Sequence, residues 1–496
     1  MEVRWLHSRG LALALAAAVV AGYQTMTVVP AFGGDSAASP LKYTPAREGL
    51  PSGRIWKSQI AFGDINGDGF ADLGAVSRLA DGPHIWAGDG KGNWRPADTG
   101  LPREAYCGGG MDFGDVNNDG KMDVGISDHC RGVSVFLGDG TGNWKSVASG
   151  LPTVGCEDFA FGDFNNDKCL DVAVVAASDD GIRAFAGNCK GVWKESSNGL
   201  SVKEWGNAVQ FADVNVDGKL DLVAAYSAGP RVWLGDGKGS WKEASEGLPA
   251  PEIHGLYWGV AVGDINNDGL LDLASGAAIP GTEVFIQEKG DQGPRWRKAS
   301  EGIAPMNALG VALGDLNKDG KVDLVAVGKT NLEEIGGVYG VFPYLGDGNG
   351  NWKLDEGTGL PGVGRERTWG VGLADINNDG VLDIGVAFGD VLSPAWRSGP
   401  KEKGAKPTPE FRKGWAGLKE GMTLDEVEKT LSIDVPDSSV FKGDFSFEPF
   451  AGYTLEFDKK LFGADELKSF KAPEARKPPE RGFFGAVEVW TGAVSK

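Results

Sequence analysis

The chain has 496 residues, 41% of them hydrophobic, and a formal net charge of −20. Recognition of nucleic acid or of an anionic membrane surface depends on basic patches, so this charge argues against both partner classes. The 78 Gly and 16 Trp are typical of short strands joined by tight turns, and an ordinary helical enzyme would have a different composition.

The first residues have the sequence pattern of a targeting signal. Arg4 and Arg9 precede an apolar run at residues 11–21, which predicts a signal peptide over residues 1–31, followed by a disordered linker at 32–42. Polar residues interrupt the apolar character before a membrane span of about 20 residues is reached, which disfavours an uncleaved anchor. We therefore expect no integral membrane span in the mature chain and a secreted, periplasmic or cell-surface location.

Beyond this signal, one acidic unit recurs along the chain. Its spacing, by subtraction, is 51, 48, 50, 51, 51 and 60 residues. Four-stranded propeller blades have repeats of about 40 to 50 residues. The seven copies begin at Asp64, Asp115, Asp163, Asp213, Asp264, Asp315 and Asp375.

The units follow one plan of four strand-like runs, which the fourth copy shows clearly. The runs there are residues 207–211, 220–226, 231–234 and 241–245, with the acidic cluster between the first two and a Gly-Asp-Gly-Lys-Gly turn before the last. Alternating runs separated by turn residues predict antiparallel strands. The sequence therefore predicts an all-β fold, a seven-bladed β-propeller of four-stranded antiparallel blades, over residues 43–397.

Residues 43–51 match the outer-strand segment of the other units but precede the first acidic cluster. No clear fourth strand follows Trp396 in the seventh unit. We therefore expect the N-terminal segment to complete the last blade, joining the two ends of the ring and covering an open edge.

A Trp follows the third strand in six units. Such a stripe can mark a ligand surface, but one ring per unit favours packing between neighbouring blades, and we assign it to the core. These residues are Trp94, Trp144, Trp193, Trp241, Trp296 and Trp352.

The repeated cluster has the sequence Asp-x-Asn-x-Asp-Gly-x-x-Asp. Oxygens at positions 1, 3, 5 and 9, with a backbone carbonyl at 7, suit Ca²⁺, while Gly at position 6 permits a sharp reversal. Zinc and copper fit poorly because no softer ligand is offered. We expect up to seven structural calcium ions, bound by Asp64, Asn66, Asp68, Asp72, Asp115, Asn117, Asp119, Asp123, Asp163, Asn165, Asp167, Asp171, Asp213, Asn215, Asp217, Asp221, Asp264, Asn266, Asp268, Asp272, Asp315, Asn317, Asp319, Asp323, Asp375, Asn377, Asp379 and Asp383.

Two other structures compete with a calcium loop for this pattern. Asn-Asp-Gly makes good hairpin turns, but a turn needs no further Asp at positions 1 and 9 in every copy. A helix-loop-helix site needs Glu at position 12, where these loops have apolar strand residues such as Ala75 and Ile126. Loop three has Lys168 in place of Gly, which predicts the weakest metal site.

The five cysteines are disulfide candidates in an oxidising compartment. Cys169 and Cys189 lie in two hairpins on the same face of the third blade, so we predict a disulfide between them. The other three, Cys107, Cys130 and Cys156, belong to the opposite face, where one pair can form and the sequence does not choose it.

The inner strands and the loops that follow them, such as residues 111–115 and 260–264, resemble the FG-GAP and VCBS repeat families. These include the calcium-loop blades of the integrin α-chain head. The resemblance covers roughly residues 43 to 400. It implies a calcium-binding propeller, and related propellers serve in adhesion, sugar binding and protein assembly or accompany polysaccharide lyases.

After a Lys- and Pro-rich linker at 398–410, residues 411–496 are expected to form a small α+β domain. Residues 418–431 have the pattern of an amphipathic helix, with Thr423 as its cap, and 453–457 and 484–490 alternate like strands. The Gly-Met-Thr motif at 421–423 resembles small domains of outer-membrane assembly lipoproteins and of β-lactamase inhibitor proteins. A capped helix on any small sheet fits equally well.

No Ser-His-Asp, Cys-His or nucleotide-binding motif is visible, so a non-enzymatic binding or adhesion module for an extracellular or envelope glycan or protein is favoured. The alternatives are a scaffold subunit that docks through the C-terminal domain, or a polysaccharide-active lyase or hydrolase. Aromatic residues recur six to nine residues before the calcium Asp, either as ligand contacts or as a plug of the central channel. These are Trp56, Tyr106, Trp205, Tyr257, Trp258 and Trp369.

Overall fold

The computed structural model describes residues 41–389, apart from short gaps, and four strands between residues 445 and 494. The gaps are residues 52–54, 58, 79–81, 148–149, 154, 177–180, 201–203, 250–256, 279–280, 292, 331–338, 356–357, 359 and 361–367. The predicted signal peptide, the linker at 398–410 and the amphipathic segment at 418–431 lie outside the described residues.

The described secondary structure consists of β-strands. They are β1 (Leu41–Pro45), β2 (Ile55–Trp56), β3 (Ala61–Gly63), β4 (Asp72–Arg78), β5 (Gly82–Gly88), β6 (Trp94–Pro96), β7 (Met111–Gly114), β8 (Asp123–Asp128), β9 (Gly132–Gly138), β10 (Trp144–Val147), β11 (Cys156–Gly162), β12 (Asp171–Ala176), β13 (Ile182–Gly187), β14 (Trp193–Glu195), β15 (Gly206–Ala212), β16 (Asp221–Tyr226), β17 (Gly229–Gly235), β18 (Trp241–Glu243), β19 (Tyr257–Gly263), β20 (Asp272–Ala277), β21 (Glu283–Gly290), β22 (Gly293–Lys298), β23 (Met306–Gly314), β24 (Asp323–Thr330), β25 (Tyr339–Gly346), β26 (Trp352–Leu354), β27 (Thr368–Ala374), β28 (Asp383–Phe388), β29 (Phe445–Phe450), β30 (Tyr453–Asp458), β31 (Glu466–Lys471) and β32 (Val487–Val494).

These strands confirm an all-β propeller of four-stranded antiparallel blades. Six sheets have four strands, and one has five because β2 and β3 both pair with β4. Each of these sheets contains one acidic cluster, in the connection from its inner strand to its second strand. The inner strands contact one another in a closed cycle, from β3 through β7, β11, β15, β19, β23 and β27 back to β3.

The fourth repeat shows why the pattern folds in this way. Its strands β15 to β18 pair in sequence order, with Phe211 opposite Leu222, which in turn lies opposite Trp233. The second strand is buried along its whole length, as expected of a strand with neighbouring blades on both of its faces. The outer strand β18 buries Trp241 and leaves the next two residues exposed, which is the alternation of a surface strand.

In the outer-strand segment at residues 43–51, a close approach of two backbones requires glycine at position 49. Gly49 has φ of +91°, and a Cβ there would lie 2.0 Å from the carbonyl oxygen of Trp94. The backbone N–H of Trp94 donates to the carbonyl of Glu48. Only glycine combines this positive φ with this approach.

The Trp stripe belongs to the core, as the sequence predicts. All six side chains are buried, and five of their indole N–H groups donate to a carbonyl of the preceding repeat. In the first and second sheets these acceptors are Ala46 and Ala97, at 2.8 and 2.7 Å. Each ring therefore fills the space between blades and also satisfies its only polar atom.

The last sheet joins both ends of the chain. Its order is β1-β32-β28-β27, so the N-terminal segment is the outer strand, as predicted, while the third strand comes from the C-terminus. The assignment of all of residues 411–496 to a separate domain is therefore wrong for its last strand. The predicted linker at 32–42 also ends too late, since β1 begins at Leu41. A strand placed between two others buries more apolar surface than the edge strand of a small sheet would.

The chain divides into two compact units, residues 1–389 together with 485–496, and residues 390–484. The second unit contains the three-stranded antiparallel sheet β29-β30-β31. Its middle strand, β30, confirms the strand predicted at 453–457. Among the residues that the structure describes, no helix has the length and apolar character that a membrane crossing requires.

Two disulfides lie in the second and third repeats. Cys169 is bonded to Cys189, as predicted, and Cys107 is bonded to Cys130, which settles the pair that the sequence leaves open. Cys156 is buried and takes no part in a disulfide. The Asp128 carboxylate accepts the backbone N–H groups of both Cys107 and Cys130 and so fixes the two segments around their disulfide.

Candidate functional site

The acidic loops share one hydrogen-bond pattern. In the first loop, Asp64 Oδ2 accepts the N–H of Gly69 at 2.9 Å, Asn66 Oδ1 that of Asp68 at 2.8 Å, and Asp68 Oδ1 that of Phe70 at 2.9 Å. The Asp64 bond recurs at position 1 of the other loops. Each side-chain oxygen uses one lone pair for the loop and has another for a ligand.

The position-9 carboxylates are buried in the sheet. Asp72 Oδ2 accepts the N–H of Ile65 and its Oδ1 accepts that of Gly88, both at 2.8 Å, so the side chain ties the loop to the end of the third strand. All seven position-9 side chains are fully buried. Burial raises the pKa of Asp72, Asp123, Asp171, Asp221 and Asp272 to about 7, although their backbone hydrogen bonds act in the opposite direction.

Three carboxylates and an amide oxygen per loop form a donor set that suits a hard cation such as Ca²⁺. Within the described residues, the ligand atoms of positions 1, 5 and 9 are not gathered within 4.8 Å of one another. The position-9 oxygens instead face backbone N–H groups. Cys107, Asp128 and Cys130 do meet this distance, but the two sulfurs are joined in a disulfide and do not form a metal site.

Loop three differs from the other loops at position 6, as the sequence indicates. Lys168 has φ of +70°, where six loops have glycine with φ between +79° and +86°. Its N–H still donates to Asp163 at 2.8 Å, so the loop keeps its shape at the cost of a strained residue. The neighbouring disulfide from Cys169 to Cys189 joins this loop to the other hairpin of the blade.

Position 4 of the loops makes contacts between blades. Asn118 Nδ2 donates to the carbonyl of Lys168 at 2.9 Å, and Asn378 Nδ2 donates to that of Gly69 at 2.8 Å. These asparagines have φ near +57°, a conformation that Asn tolerates well. Val216 occupies this position in the fourth loop with the same φ of 58° and an exposed side chain, and a valine cannot donate such a bond.

The other end of the inner strands forms a small channel mouth. Its volume is about 40 Å³, and it is lined by residues from the segment that enters each of the seven inner strands. Six lining positions lie six residues before the first Asp of their repeat, by subtraction. They are Gly109, Glu157, Asn207, Trp258, Leu309 and Trp369.

Charged side chains meet on one side of this mouth. Lys57 Nζ lies 3.0 Å from Glu157 Oε2 and 3.2 Å from Oε1, and His129 Nδ1 lies 2.7 Å from Oε1. Burial raises the pKa of Glu157, but the hydrogen bond from His129 and the Lys57 charge outweigh it, so this pKa lies below its usual range. Burial raises the pKa of neighbouring Asp158 to about 7.

Aromatic side chains form the opposite side. The Trp258 and Trp369 rings meet edge to face at 6.0 Å, and Lys57 Nζ lies 5.6 Å from the Trp369 ring centre. Asn207 Nδ2 donates to the Tyr257 carbonyl at 2.6 Å. Its Oδ1 is buried and has no hydrogen-bond partner among the described residues. The mouth thus combines aromatic faces, carboxylates and one ammonium group.

The six predicted aromatic residues have different surroundings. Trp56, Tyr106 and Tyr257 are buried and pack within the blades, while Trp258 and Trp369 line the mouth. Trp205 is exposed, with its ring 5.0 Å from that of His129.

Sequence reasoning missed Lys57, Glu157, Asp158 and Asn207 at the mouth. The available signal was the position six residues before each acidic cluster. It changes from Gly to Glu, Asn, Trp or Leu between repeats that are otherwise alike. A position that varies between repeats of otherwise similar pattern, and whose side chains line the mouth, is where ligand contacts can differ from blade to blade.

A larger cavity of about 150 Å³ lies at the opposite end of the same inner strands. Its walls include apolar side chains such as Phe62, Val311 and Leu313, and its carboxylates, Asp264 and Asp315, belong to the acidic loops. Gln210 and Lys321 also line it, but its carboxylates are the repeated ones. The mouth, whose charged and aromatic groups differ from repeat to repeat, is therefore the better candidate for specific recognition.

The strand order and the repeated acidic loop define a β-propeller built from tandem repeats. The family model of the FG-GAP-like repeat matches residues 64–126 and 213–275. The chain therefore contains FG-GAP-like repeats within a β-propeller, and among curated proteins none matches it.

Several solved structures are similar to this chain at low identity. One is a lectin of Agrocybe aegerita that recognises non-reducing terminal N-acetylglucosamine, at 15% identity and a TM-score of 0.42, covering 63% of this chain and 84% of that one. Another is the extracellular domain of a hybrid two-component system of B. thetaiotaomicron, at 9% identity and a TM-score of 0.43, covering 84% of this chain and 44% of that one.

Proposed function

We propose that the chain is an exported binding or adhesion module, a seven-bladed ring stabilised by calcium that takes a glycan or protein ligand at its channel mouth. The count of seven blades takes the five-stranded sheet as the first blade, with its inner strand divided into β2 and β3. The observation that carries the proposal is the channel mouth, where one register position differs between repeats and supplies Glu157, Asn207, Trp258 and Trp369. Aromatic faces beside a few fixed polar groups are what a specific binding site requires.

Export is supported by the two disulfides, which persist in oxidising compartments, and by the N-terminal signal in the sequence. Calcium is supported by the oxygen-only donor set and by the negative charge gathered in each loop. A bound cation offsets the repulsion among the three carboxylates of a loop and stabilises the folded state by mass action. The residues that would hold it are those at positions 1, 3, 5 and 9.

The binding proposal is tested by glycan-array binding and by affinity capture from the native envelope, in calcium and again with a chelator. We expect capture in calcium that is lost with Trp258→Ala at the mouth. Trp205→Ala is the matched control, since Trp205 is an aromatic residue that does not line the mouth. Loss with Trp205→Ala but not with Trp258→Ala would place the site elsewhere.

A scaffold role is the second candidate, favoured by the separate unit at residues 390–484. Truncating the chain before β32 would also remove a propeller strand, so it does not test this role. Replacing residues 390–484 with a short Gly-Ser turn between β28 and β32 leaves the propeller strands in place. Partner capture lost in this variant, with an unchanged unfolding temperature, supports docking through the insert.

A further inference from the structure

The channel mouth already holds one cation, the Lys57 ammonium. It lies within 3.2 Å of both Glu157 oxygens and 5.6 Å from the centre of the Trp369 ring. A carboxylate and an aromatic face both attract an ammonium group, and the attraction is stronger where water is partly excluded. The mouth therefore has the features of an ammonium site whose present occupant comes from the chain itself.

Carboxyl and amide oxygens supply several hydrogen-bond acceptors at this site. Glu157 and Asp158 contribute two carboxyl groups, and one Asp158 oxygen accepts the N–H of Val209 at 3.1 Å. The Asn207 amide is fixed by its bond to a carbonyl, because only the NH₂ group can donate there, and this leaves its oxygen without a partner. A buried acceptor without a donor is costly, so a ligand that brings donors gains more than one that brings acceptors.

The size of the mouth limits the ligand. A volume of about 40 Å³ holds about three water-sized groups, since each needs roughly 10 to 15 Å³. A methylene group with a terminal ammonium fits inside such a space, whereas a pyranose ring could rest only at its open rim. A ligand group that enters the mouth must therefore stand at the end of a narrow, flexible chain.

We propose that the channel mouth binds a primary ammonium group, the side chain of an exposed lysine on a partner protein, by displacing the Lys57 ammonium from Glu157 and Trp369. This inference rests on the proposed function, because it assigns the ligand chemistry of the same site. Lys57 lies on the short segment between β2 and β3 and has a flexible four-carbon side chain. It can turn out to solvent when another ammonium enters.

The test is a titration of the full chain, in calcium, with Nα-acetyl-L-lysine amide. Binding is measured by the change in Trp fluorescence and by calorimetry. Nα-acetyl-L-norleucine amide, of nearly the same shape but without the ammonium, is the matched ligand control, and glucosamine is the ring-borne amine. We expect saturable binding of the lysine amide and about tenfold weaker binding of the other two, the difference that a charge-assisted hydrogen bond provides. Equal binding of the norleucine amide, or tighter binding of glucosamine, overturns the proposal.

Two variants are expected to change the affinity for the lysine amide in opposite directions. Lys57→Met removes the resident competitor and is expected to tighten lysine-amide binding several-fold, while Glu157→Gln removes the carboxylate charge and weakens it about tenfold. A loss of binding in Lys57→Met would contradict displacement, and the gain expected there cannot come from misfolding. If the lysine amide fails to bind while glycan or partner capture still depends on Trp258, the ligand chemistry is wrong and the binding function stands.

Discussion

Leu41 lies opposite Val494 in the antiparallel pairing of β1 with β32. The beginning and the end of the described chain therefore share one sheet, and β32 has a neighbouring strand on both sides. Residues 390–484 are an insertion between the second and third strands of the last blade. The closure of the ring thus depends on two chain segments that are almost the whole sequence apart.

Truncation at residue 484 should destabilise the propeller, because it removes β32 and leaves β1 and β28 without their common partner. We expect a loss of more than about 3 kcal/mol in the free energy of unfolding, as for other large losses of buried surface. The measurement is denaturant unfolding in calcium. Replacement of residues 390–484 with a Gly-Ser turn is the control, and an equal loss in both variants would contradict the role of β32.

The blades could be predicted because the pattern repeats and each blade is local in sequence. The outer position of the N-terminal segment followed from its likeness to other outer strands. The place of β32 could not be predicted, because Val487–Val494 alternates like any surface strand and no residue in it specifies a partner. Its pairing with β28 spans about a hundred intervening residues, and such distant pairings leave no local signal.

The candidate site shows a similar division. The acidic loops were visible because ligand-type residues recur at fixed spacing. The channel mouth was only partly visible, because Lys57, Glu157 and Asn207 belong to three different blades and meet only when the ring closes. Trp56, Tyr257 and Trp258 all lie close before their loops in sequence. Only the fold shows that Trp56 and Tyr257 are buried within the blades while Trp258 lines the mouth.

Asp272→Asn is expected to destabilise the protein even in a chelator, since position 9 has a structural role apart from any metal. Its two oxygens accept the N–H groups of Ile265 and Gln287 at 2.8 and 2.7 Å. An amide presents an NH₂ group to one of these donors, which leaves a buried N–H without an acceptor at a cost of about 1 to 3 kcal/mol. Thermal unfolding with and without calcium measures this.

Asp268→Asn, at position 5 of the same loop, is the matched control. Asp268 is exposed, so in the chelator its replacement should leave the unfolding temperature nearly unchanged. In calcium, the variant should unfold at a lower temperature than wild type, because wild type gains more from the bound ion. Equal losses for both variants in the chelator would show that the two positions do not differ in role. Equal unfolding temperatures of wild type with and without calcium would contradict metal binding itself.

Val216→Asn should stabilise the fourth loop. Val216 has φ of 58°, which is unfavourable for a β-branched side chain, and its side chain is 60% exposed. Asparagine relieves this cost and can donate to the next loop as Asn267 does to Gly320 at 3.3 Å. We expect a gain of about 1 kcal/mol in chemical unfolding. Asn267→Val is the reverse substitution, and a gain there as well would refute the explanation.

Removal of the disulfide in blade three, by Cys169→Ser with Cys189→Ser, should lower the free energy of unfolding by about 3 kcal/mol, as expected for a closed loop of this length. The two cysteines are 20 residues apart in sequence. Adding Lys168→Gly should recover about 1 kcal/mol by removing the strained positive φ. Both changes are measured by limited proteolysis of blade three. If Lys168→Gly recovers no stability, the lysine is not strained.

Asp158→Asn should change how stability depends on pH. Burial raises the pKa of Asp158 from 3.8 to about 7 in the folded protein. The folded state therefore holds this proton more tightly than the unfolded state, and the stability that the protonated group contributes is lost as pH rises from about 4 through 7. Relative to wild type, we expect the free energy of unfolding of the variant to rise by about 2 to 3 kcal/mol between pH 5 and pH 8, because part of the effect lies below pH 5.

The comparison is made by chemical unfolding at fixed calcium from pH 5 to 8. Glu157→Gln is the control, because the pKa of Glu157 is lowered and its contribution is lost only as pH falls below its ordinary value of 4.5. The Asn substitution keeps an oxygen that can accept the N–H of Val209, so its effect reports the charge more than the hydrogen bond. Parallel stability curves for wild type and Asp158→Asn across this range would show that the buried carboxyl does not titrate there.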